Sequence, residues 1–376
     1  MRSPTRPIAV KRIRLREISV SEKLAEYFSA ILSSGELNFV PHGATFDRIS
    51  DLKRIGGVVN DVYSFSVTFR NEGYEQKNNL VLKTYGKALD PVLETYGDDE
   101  NLKRCAKEFQ VLRSLQRIGF PAPRAYLCEC DSGVLGYPFV IMQGEESVSN
   151  NTGITDCFVQ TLIRLHSLDI AKLDIGALKG PKDFCEFEKQ RLLYLKIFMN
   201  LYPRHSKRVK NDFEFAIHWL ESNVSNNHCP QYCLIHGDYR TPFNLILTGD
   251  SRLVVIDWEE AEIGDPAYDV GMAYARARLD YGREIADHFV QEYLRYSDKD
   301  FGQRLLFYEL MAHLRLAISH SSVLSNPTRA YKIRGMKAFL SFPFLRLPFV
   351  AKRTGTNLDA RWVECFEEFI GENFRR

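Results

Sequence analysis

Two short apolar runs in the middle of the chain each end in side chains that could bind a metal ion. One is Cys233-Leu234-Ile235-His236-Gly237-Asp238, and the other is Leu253-Val254-Val255-Ile256-Asp257. Asn244-Leu245-Ile246-Leu247 and a Gly249-Asp250-Ser251-Arg252 turn lie between them, so the pattern predicts a β-hairpin. With the turn centred between residues 250 and 251, Asn244 faces Asp257, and their Cβ atoms lie about 4.5–5.5 Å apart. An amide and a carboxylate at that distance suit a hard cation, and Asp238 just upstream could receive the proton of a substrate hydroxyl, so this region predicts a phosphoryl-transfer site.

A lysine and a glutamate in the first third of the chain form a second candidate pair. Lys83 ends the apolar run Asn79-Leu80-Val81-Leu82, and Glu108 shares a predicted helix face with Cys105, Val111 and Leu112. A carboxylate on a buried face needs a partner, and a lysine held in this way can bind nucleotide phosphates. The alternative is an exposed lysine at the end of a strand.

A glycine-rich segment precedes the next strand along the chain. Gly56-Gly57-Val58-Val59-Asn60 could bring backbone N–H groups close to a polyphosphate. Two glycines before a strand also suit a plain turn; on the first interpretation Gly56, Gly57 and Asn60 are candidate nucleotide-binding residues.

Hydrophobic periodicity predicts an α+β fold with a β-rich first part and a mainly helical second part. Residues 63–69 alternate strictly, as a half-buried strand does. Further strands are predicted at 79–83, 124–130 and 137–142, with helices at 22–32 and across Leu102 to Leu115. From about Asp156 onward the pattern is helical, apart from the central hairpin.

Two features near the hairpin each allow two interpretations. His236 follows three apolar residues and precedes glycine, so a buried, hydrogen-bonded role is favoured over that of a base. The segment after Asp257 is acidic, with Glu259, Glu260, Glu262, Asp265 and Asp269. It is either a solvated face with a helix N-cap at Asp265-Pro266 or an acidic rim that attracts a cationic substrate.

Composition excludes several classes of function. Lys and Arg total 50 against 48 acidic residues, so net charge gives no case for a nucleic-acid partner. No apolar stretch reaches the roughly 20 residues that span a bilayer, and Phe342 to Val350 is interrupted by Pro343, Arg346 and Pro348. The basic segment before Glu17 is predicted to be an exposed tail. The eight scattered cysteines lack zinc-knuckle spacing and indicate a reducing, cytoplasmic location; the oligomeric state is left open.

The ordered motifs resemble the aminoglycoside phosphotransferase and choline kinase family. The resemblance runs from about Leu52 to about Leu324, and its motifs are Gly56-Gly57-Val58-Val59-Asn60, Leu82-Lys83, Glu108, Pro138-Phe139-Val140-Ile141-Met142, Leu165-His166-Ser167-Leu168-Asp169, His236-Gly237-Asp238, Asn244, Ile256-Asp257-Trp258-Glu259 and Gly264-Asp265-Pro266 with Asp269.

The resemblance implies a two-lobed protein-kinase-like fold and a role for each matched residue. Residues 1–50 would form an N-terminal extension with a helix, 51–142 the nucleotide-binding lobe, and 143–376 the helical lobe with the acceptor site. Asp238 would be the catalytic aspartate, Asn244 and Asp257 would hold Mg²⁺, and Lys83, paired to Glu108, would contact phosphates. Met142, Gln143 and Gly144 would form the connector that holds the nucleotide base.

The chain differs from the family pattern in one spacing. Five residues, Tyr239-Arg240-Thr241-Pro242-Phe243, separate Asp238 from Asn244, where the family usually has four. Asn244 is nevertheless the one asparagine between His236 and Asp257, and the hairpin also selects it. Arg240, two residues past Asp238, is a further candidate to reach the transferred phosphoryl group.

These features predict an ATP- or GTP-dependent, Mg²⁺-dependent phosphotransferase that acts on a hydroxyl of a small molecule. An alternative is a catalytically inactive nucleotide-binding regulatory protein. A protein kinase is disfavoured, because only eight residues separate Asp257 from Pro266 and no Ala-Pro-Glu element follows.

Overall fold

The chain folds as two compact units. The computed structural model describes residues 20–31, 39–40, 43–56, 60–71, 73–86, 98–145, 156–176, 178, 180–181, 183–201, 207–240, 244–250, 252–298, 300–325 and 358–374. The first unit comprises Met1–Gln116 with Pro123–Glu145, and the second comprises Arg117–Ala122 with Glu146–Arg376. Gly57 and the run from Phe342 to Val350 lie outside the described residues.

In the ranges that the structure describes, the first unit is a five-stranded antiparallel sheet with two helices. Its strands stand in the order β1-β2-β3-β5-β4. The elements are α1 (20–31), β1 (Thr45–Gly56), β2 (Val62–Asn71), β3 (Tyr74–Thr84), α2 (Asp98–Arg117), β4 (Ala125–Glu129) and β5 (Phe139–Gln143). The predicted strands and helices are confirmed.

The alternating strand lies where its periodicity predicts. Tyr63, Phe65, Val67 and Phe69 of β2 are all buried in one core cluster, which Leu24 and Phe28 of α1 complete. Because side chains alternate between the two faces of a strand, these four residues lie on one face of β2, and this face packs against α1.

Strand β1 is an element that the hydrophobic pattern did not predict. Its pairing with β2 shifts register three times, and Asp51 has a left-handed φ of 59°. The apolar residues Phe46, Ile49, Leu52 and Ile55 therefore recur every third residue rather than every second. Bulges at an edge strand conceal the period of two that marks a regular strand.

The second unit is mainly helical, as predicted. Its helices are α3 (Asp156–His166), α4 (Phe184–Leu201), α5 (Lys207–Asn223), α6 (Pro266–Tyr281), α7 (Arg283–Leu294), α8 (Phe301–Ser325) and α9 (Leu358–Asn373). Four three-residue strands form two antiparallel pairs, β6 (Cys233–Ile235) with β9 (Glu262–Gly264) and β7 (Leu245–Leu247) with β8 (Leu253–Val255). Among the helices in the described ranges, none combines the length and the apolar run needed to cross a bilayer.

Helix α6 is the centre of the second unit. Asp265 caps it, since its Oδ1 accepts a hydrogen bond of 2.9 Å from the Ala267 amide, and Pro266 occupies the first turn. A Cβ on Gly271 would lie 2.8 Å from the Tyr308 carbonyl carbon, so glycine permits α6 to pack directly on the backbone of α8. The predicted N-cap at Asp265-Pro266 is confirmed.

The hairpin forms, but its predicted register is wrong by one residue. Leu245 pairs with Val255 and Leu247 with Leu253. The Ile256 amide donates to the Asn244 carbonyl over 2.9 Å, so Asn244 faces Ile256 and not Asp257. The turn is centred on Asp250 rather than after it, and a shift of one residue sends a side chain to the other face of a strand.

Candidate functional site

Lys83 and Glu108 form the buried ion pair that the sequence predicted. Lys83 Nζ, near the end of β3, lies 2.7 Å from Glu108 Oε2 on α2, and the two residues are 6% and 1% exposed. The Tyr85 hydroxyl also donates to Glu108 Oε2. A buried carboxylate that accepts from two donors holds the lysine amine in one place.

Asn60 has a structural contact in the first unit. It is buried, and its Oδ1 accepts a hydrogen bond of 3.0 Å from Arg104 on α2. Asp61, the next residue, accepts from Arg54 over 2.9 Å, and its carbonyl accepts from the Thr84 amide over 3.0 Å. These bonds fix the chain where β2 begins; Gly56 ends β1 just before the segment that the structure does not describe.

Met142, Gln143 and Gly144 lie at the end of β5. Met142 pairs with Val81 and is nearly buried. The Gln143 amide donates to the Arg124 carbonyl over 2.8 Å, and the Gly144 amide donates to the Asn79 carbonyl over 2.9 Å. Both N–H groups are therefore used within the sheet, and a role for this segment in holding a nucleotide base stays a prediction.

In the second unit, the Asp269 carboxylate holds the loop that contains Asp238 in place through hydrogen bonds. Asp269 lies in the first turn of α6 and is fully buried. Its Oδ2 accepts from the His236 amide over 2.6 Å, and its Oδ1 accepts from the Gly237 amide over 2.8 Å. His166 Nε2 lies 3.2 Å from the same carboxylate, and His166 Nδ1 lies 2.7 Å from the Tyr293 hydroxyl. Charge-assisted bonds of this kind are the strong ones.

The sequence motif contained Asp269 and His166, but their positioning role was missed. The two residues are 103 positions apart, and Asp269 is 33 positions from His236. The available signal was a carboxylate one turn after a helix N-cap, on the face that α6 buries.

His236 is a buried scaffold residue, as predicted. Its Nδ1 accepts from the Asp238 amide at 3.2 Å, so Nε2 carries the proton and donates to the Ile256 carbonyl at 2.9 Å. Gly237 has a left-handed φ of 81°, and a Cβ there would lie 2.5 Å from the Glu260 carbonyl oxygen. No other residue fits that position without moving the backbone.

Asp238 presents its carboxylate to two donors from the following loop. Asn244 Nδ2 lies 2.9 Å from Asp238 Oδ2, and an Arg240 guanidinium nitrogen lies 2.8 Å from the same oxygen. The structure therefore brings the three predicted residues together. Among the described residues both donors are on Oδ2, so Oδ1 is the oxygen that can accept a proton. The amide leaves Asn244 Oδ1 as an acceptor for a cation.

Asp257 has an unusual backbone. Its φ and ψ are 66° and 60°, and Asp257 and Asp51 are the two non-glycine residues with positive φ in the described ranges. The left-handed conformation costs an aspartate about 1 kcal/mol. Such strain collects at functional sites, where the surrounding structure holds it. Asp257 directly precedes a one-turn helix at Trp258–Glu260.

The acidic segment after Asp257 is not a solvated face. Glu259, Glu260, Asp265 and Asp269 are buried. Asp265 pairs with Arg304 over 3.0 Å, and Glu262 pairs with Arg191. The interpretation as a solvated face is therefore wrong, because these carboxylates are bound within the fold.

Two arginines near Asp238 were missed at the sequence level. Arg276 of α6 and Arg315 of α8 are buried. Arg276 pairs with Asp280, and Arg315 donates to the Tyr268 hydroxyl. Burial lowers the pKa of both guanidinium groups, and the net shift is downward for Arg276 although the charge of Asp280 raises it. The net shift is upward for Arg315, because the charges of Tyr268 and Glu260, followed by that of Asp238, raise its pKa. Their helical positions are typical of exposed residues, and only the tertiary fold reveals their burial.

Comparison with known proteins identifies the family. The family model described as the phosphotransferase enzyme family, APH, matches residues 66–306, which is more than half of the chain. The chain belongs to this family. The predicted family and the kinase-like fold, with its N-terminal five-stranded sheet and mainly helical second part, are thereby confirmed.

Solved structures of APH proteins share the fold at low identity. A putative aminoglycoside phosphotransferase from Ralstonia eutropha aligns with a TM-score of 0.53 and 16% identity, over 92% of this chain and 98% of that one. The GDP complex of aminoglycoside 2′-phosphotransferase-IIIa also gives 0.53, at 14% identity, over 93% and 99% of the two chains.

Curated relatives match over shorter segments. Human acyl-CoA dehydrogenase family member 11 is 27% identical over 177 residues, which is 44% of this chain and 22% of that protein. Protein LicA of Haemophilus influenzae is 26% identical over 141 residues, or 38% of this chain and 37% of LicA. The matched segments thus span well under half of these relatives.

Proposed function

We propose that this APH-family protein transfers the terminal phosphoryl group of ATP or GTP to a hydroxyl of a small molecule, with Mg²⁺. The observation that carries the proposal is the loop at Asp238. Asp269 holds its backbone, and Asn244 and Arg240 fix its carboxylate in an orientation that leaves Oδ1 for a hydroxyl.

Asp238 is the proposed proton acceptor. A hydroxyl that donates to Asp238 Oδ1 becomes a better nucleophile as its proton moves to the carboxylate. Arg240 contacts Asp238 Oδ2, and from there its guanidinium would stabilise the negative charge that collects on the transferred group. Both residues are positioned before substrate arrives, which reduces the reorganisation that the reaction requires.

The donor set fits a magnesium nucleotide. Lys83 offers a fixed ammonium for phosphate oxygens, and Asn244 Oδ1 with the Asp257 carboxylate would hold Mg²⁺, a cation that prefers oxygen ligands. Bound Mg²⁺ neutralises phosphate charge during phosphoryl transfer. Gly56, Asn60 and the connector at Met142 to Gly144 complete the proposed nucleotide site.

The carboxylates after Asp257 bear on the charge of the acceptor. The names of the APH neighbours indicate aminoglycosides, which are cationic. The buried, paired carboxylates after Asp257 do not supply the acidic rim that would support such an acceptor here. A cytoplasmic location is part of the proposal, since all eight cysteines are free thiols.

A nucleotide-consumption screen tests this function. Purified protein is incubated with Mg²⁺ and ATP or GTP against amino alcohols, sugars, aminoglycosides, hydroxy acids and phosphorylated alcohols, and phosphorylated products are identified by mass spectrometry. We expect one hydroxyl class to be phosphorylated, and the product to be absent with Asp238→Asn. Nucleotide binding without turnover across the panel would instead support the regulatory alternative, and transfer to protein side chains would support a protein kinase.

A further inference from the structure

Three cysteines of the first unit stand in a row from the surface to the interior. Cys130 is exposed, Cys128 of β4 is partly buried, and Cys105 of α2 is fully buried. The sulfur atoms of Cys105 and Cys128 are 3.5 Å apart, and those of Cys128 and Cys130 are 3.9 Å apart. Both distances are much longer than the roughly 2.05 Å of a disulfide bond, so all three residues are free thiols.

We propose that Cys128 is oxidised by a hydroperoxide and then forms a disulfide with Cys105, which ties α2 to β4. An S–S bond is about 2.05 Å long, so closing the gap of 3.5 Å requires a relative shift of about 1.5 Å or a change of side-chain rotamer.

The three thiols differ in their readiness to react. Hydrogen bonding with Cys105 lowers the pKa of Cys128, with a further contribution from Cys130. The same bond, together with burial, raises the pKa of Cys105. Burial and the neighbouring charge of Cys128 raise the pKa of Cys130 to about 11. Cys128 is the middle sulfur of the row, within 4 Å of both other sulfurs, and its pKa is the lowered one. Because the thiolate is the nucleophile, Cys128 is the proposed site of attack even though Cys130 is the more exposed.

The two steps balance in atoms and electrons. The Cys128 thiolate attacks one peroxide oxygen, the O–O bond breaks, and the departing oxygen takes a proton and leaves as water or an alcohol. Cys128 is now a sulfenic acid, oxidised by two electrons. The Cys105 sulfur attacks the Cys128 sulfur, hydroxide leaves, and the Cys105 proton converts it to water. In total, two thiols and one hydroperoxide give a disulfide, one alcohol or water, and one water.

The position of Cys105 in α2 connects the bond to the proposed nucleotide site. Arg104, the preceding residue, binds Asn60, and Glu108 one turn later binds Lys83. A disulfide at Cys105 would therefore shift the turn of α2 that carries Arg104 and Glu108, and with it the contacts to Asn60 and Lys83. This consequence rests on the proposed function, whereas the disulfide itself does not.

Peptide mapping tests the site directly. The reduced full-length protein is treated with hydrogen peroxide, and disulfide-linked peptides are identified without reduction. We expect a Cys105–Cys128 link in the parent and in Cys130→Ser. We expect a dimedone-reactive sulfenic acid on Cys128 in the double variant Cys105→Ser/Cys130→Ser, which keeps a hydroxyl donor beside Cys128 and removes both thiols that could form a disulfide with it. Cys157, an exposed thiol of the second unit, serves as the reference, and Cys128 should react about tenfold faster.

Three results would overturn the proposal: no link, a predominant Cys128–Cys130 link, or equal rates at Cys128 and Cys157. The connection to Lys83 has its own readout. Oxidation should raise the nucleotide KM, or the Kd if turnover is absent, by about fivefold, reversibly with dithiothreitol and not in Cys128→Ser. A mapped disulfide with unchanged nucleotide affinity would refute the connection and leave the site intact.

Discussion

At the scale of single residues, the loop at Asp238 depends on hydrogen bonds from the backbone. The His236 and Gly237 amides are bound by one buried carboxylate, and the Asp238 amide is bound by the His236 ring. This carboxylate is stable in the interior only while both backbone N–H groups donate to it. The loss of either hydrogen bond leaves a buried charge without a donor, which lowers the stability of the fold. The geometry of Asp238 is therefore set by residues that need not touch a substrate.

Gly237→Ala should damage this loop severely. The new Cβ would approach the Glu260 carbonyl oxygen to 2.5 Å, and the left-handed φ is strained for alanine as well. We expect a loss of roughly 2–4 kcal/mol in the free energy of unfolding, together with loss of phosphotransferase activity. Denaturant unfolding measures the first quantity. Gly302→Ala is the control, since a Cβ on Gly302 meets nothing within 4 Å; equal effects from both variants would contradict the account.

At the scale of elements, helices α8 and α9 meet at a buried histidine. The His313 ring stacks on Phe369 with centroids 4.3 Å apart, and its Nδ1 donates to the Glu309 carbonyl over 2.8 Å. Burial is the main reason that the pKa of His313 falls from 6.5 to about 3, with the charge of Arg278 acting in the same direction. The folded protein therefore holds this ring neutral.

Stability should accordingly fall with acid through this residue. Below pH 6.5 the unfolded chain binds a proton that the folded chain refuses until about pH 3, so the contribution is present above pH 6.5 and is lost as pH falls. Between pH 7 and pH 5 the loss should be about 2 kcal/mol. Unfolding of the parent and of His313→Gln is compared at both pH values. If the difference between the two proteins does not change with pH, His313 is not the titrating group.

Elements were predictable from sequence where one periodic face meets one core. Strand β2 is the clear case, because its alternating apolar residues from Tyr63 to Phe69 all lie in one core cluster. Its polar face is more buried than the predicted half-buried strand, since Ser66 and Thr68 are buried too. Strand β1 was missed because its bulges break the period. The hairpin was predicted but its register was not, since strands of three residues carry too few side chains to distinguish neighbouring registers.

The candidate site was likewise predictable in part: the sequence selected several of its residues but not the long-range contacts that hold them. Residue types and order predicted the pair of Lys83 with Glu108. They also selected Asp238, Arg240 and Asn244, but the prediction placed Asn244 opposite Asp257 rather than on Asp238. The contacts that hold them in place, such as His166 with Asp269, join residues far apart in sequence. No local pattern encodes such pairs, because tertiary packing decides which buried polar groups meet.

At the scale of the whole molecule, each unit should have a separable task, and Lys83 tests the first one. Lys83→Met leaves Glu108 buried without its cation, so we expect a loss of about 3 kcal/mol in stability and a much weaker nucleotide affinity. The double variant Lys83→Met/Glu108→Gln removes both charges. It should recover most of the stability but none of the affinity.

A second lysine on the same strand is the control for this experiment. Lys77 pairs with Asp51 on the exposed side of β3, so Lys77→Met should change neither quantity measurably. Chemical unfolding and nucleotide titration are measured on all three variants. Restored nucleotide affinity in the double variant would limit Lys83 to a structural role.

The second unit should supply the base and the metal ligands as distinct functions. Asp238→Asn keeps the shape of the side chain but loses the proton acceptor, so kcat should fall about 10²–10⁴-fold while Mg²⁺–nucleotide affinity is retained.

Asp257→Ala should instead abolish productive Mg²⁺–nucleotide binding. Asn244→Ala should weaken this binding less, and it also removes one of the donors to Asp238. Titrating rate against Mg²⁺ in the three variants separates these effects, with the exposed Asp250→Asn as the matched control. A fully active Asp238→Asn protein would refute the mechanism. Unchanged Mg²⁺ dependence in Asn244→Ala would restrict Asn244 to orienting Asp238, which its hydrogen bond of 2.9 Å already does.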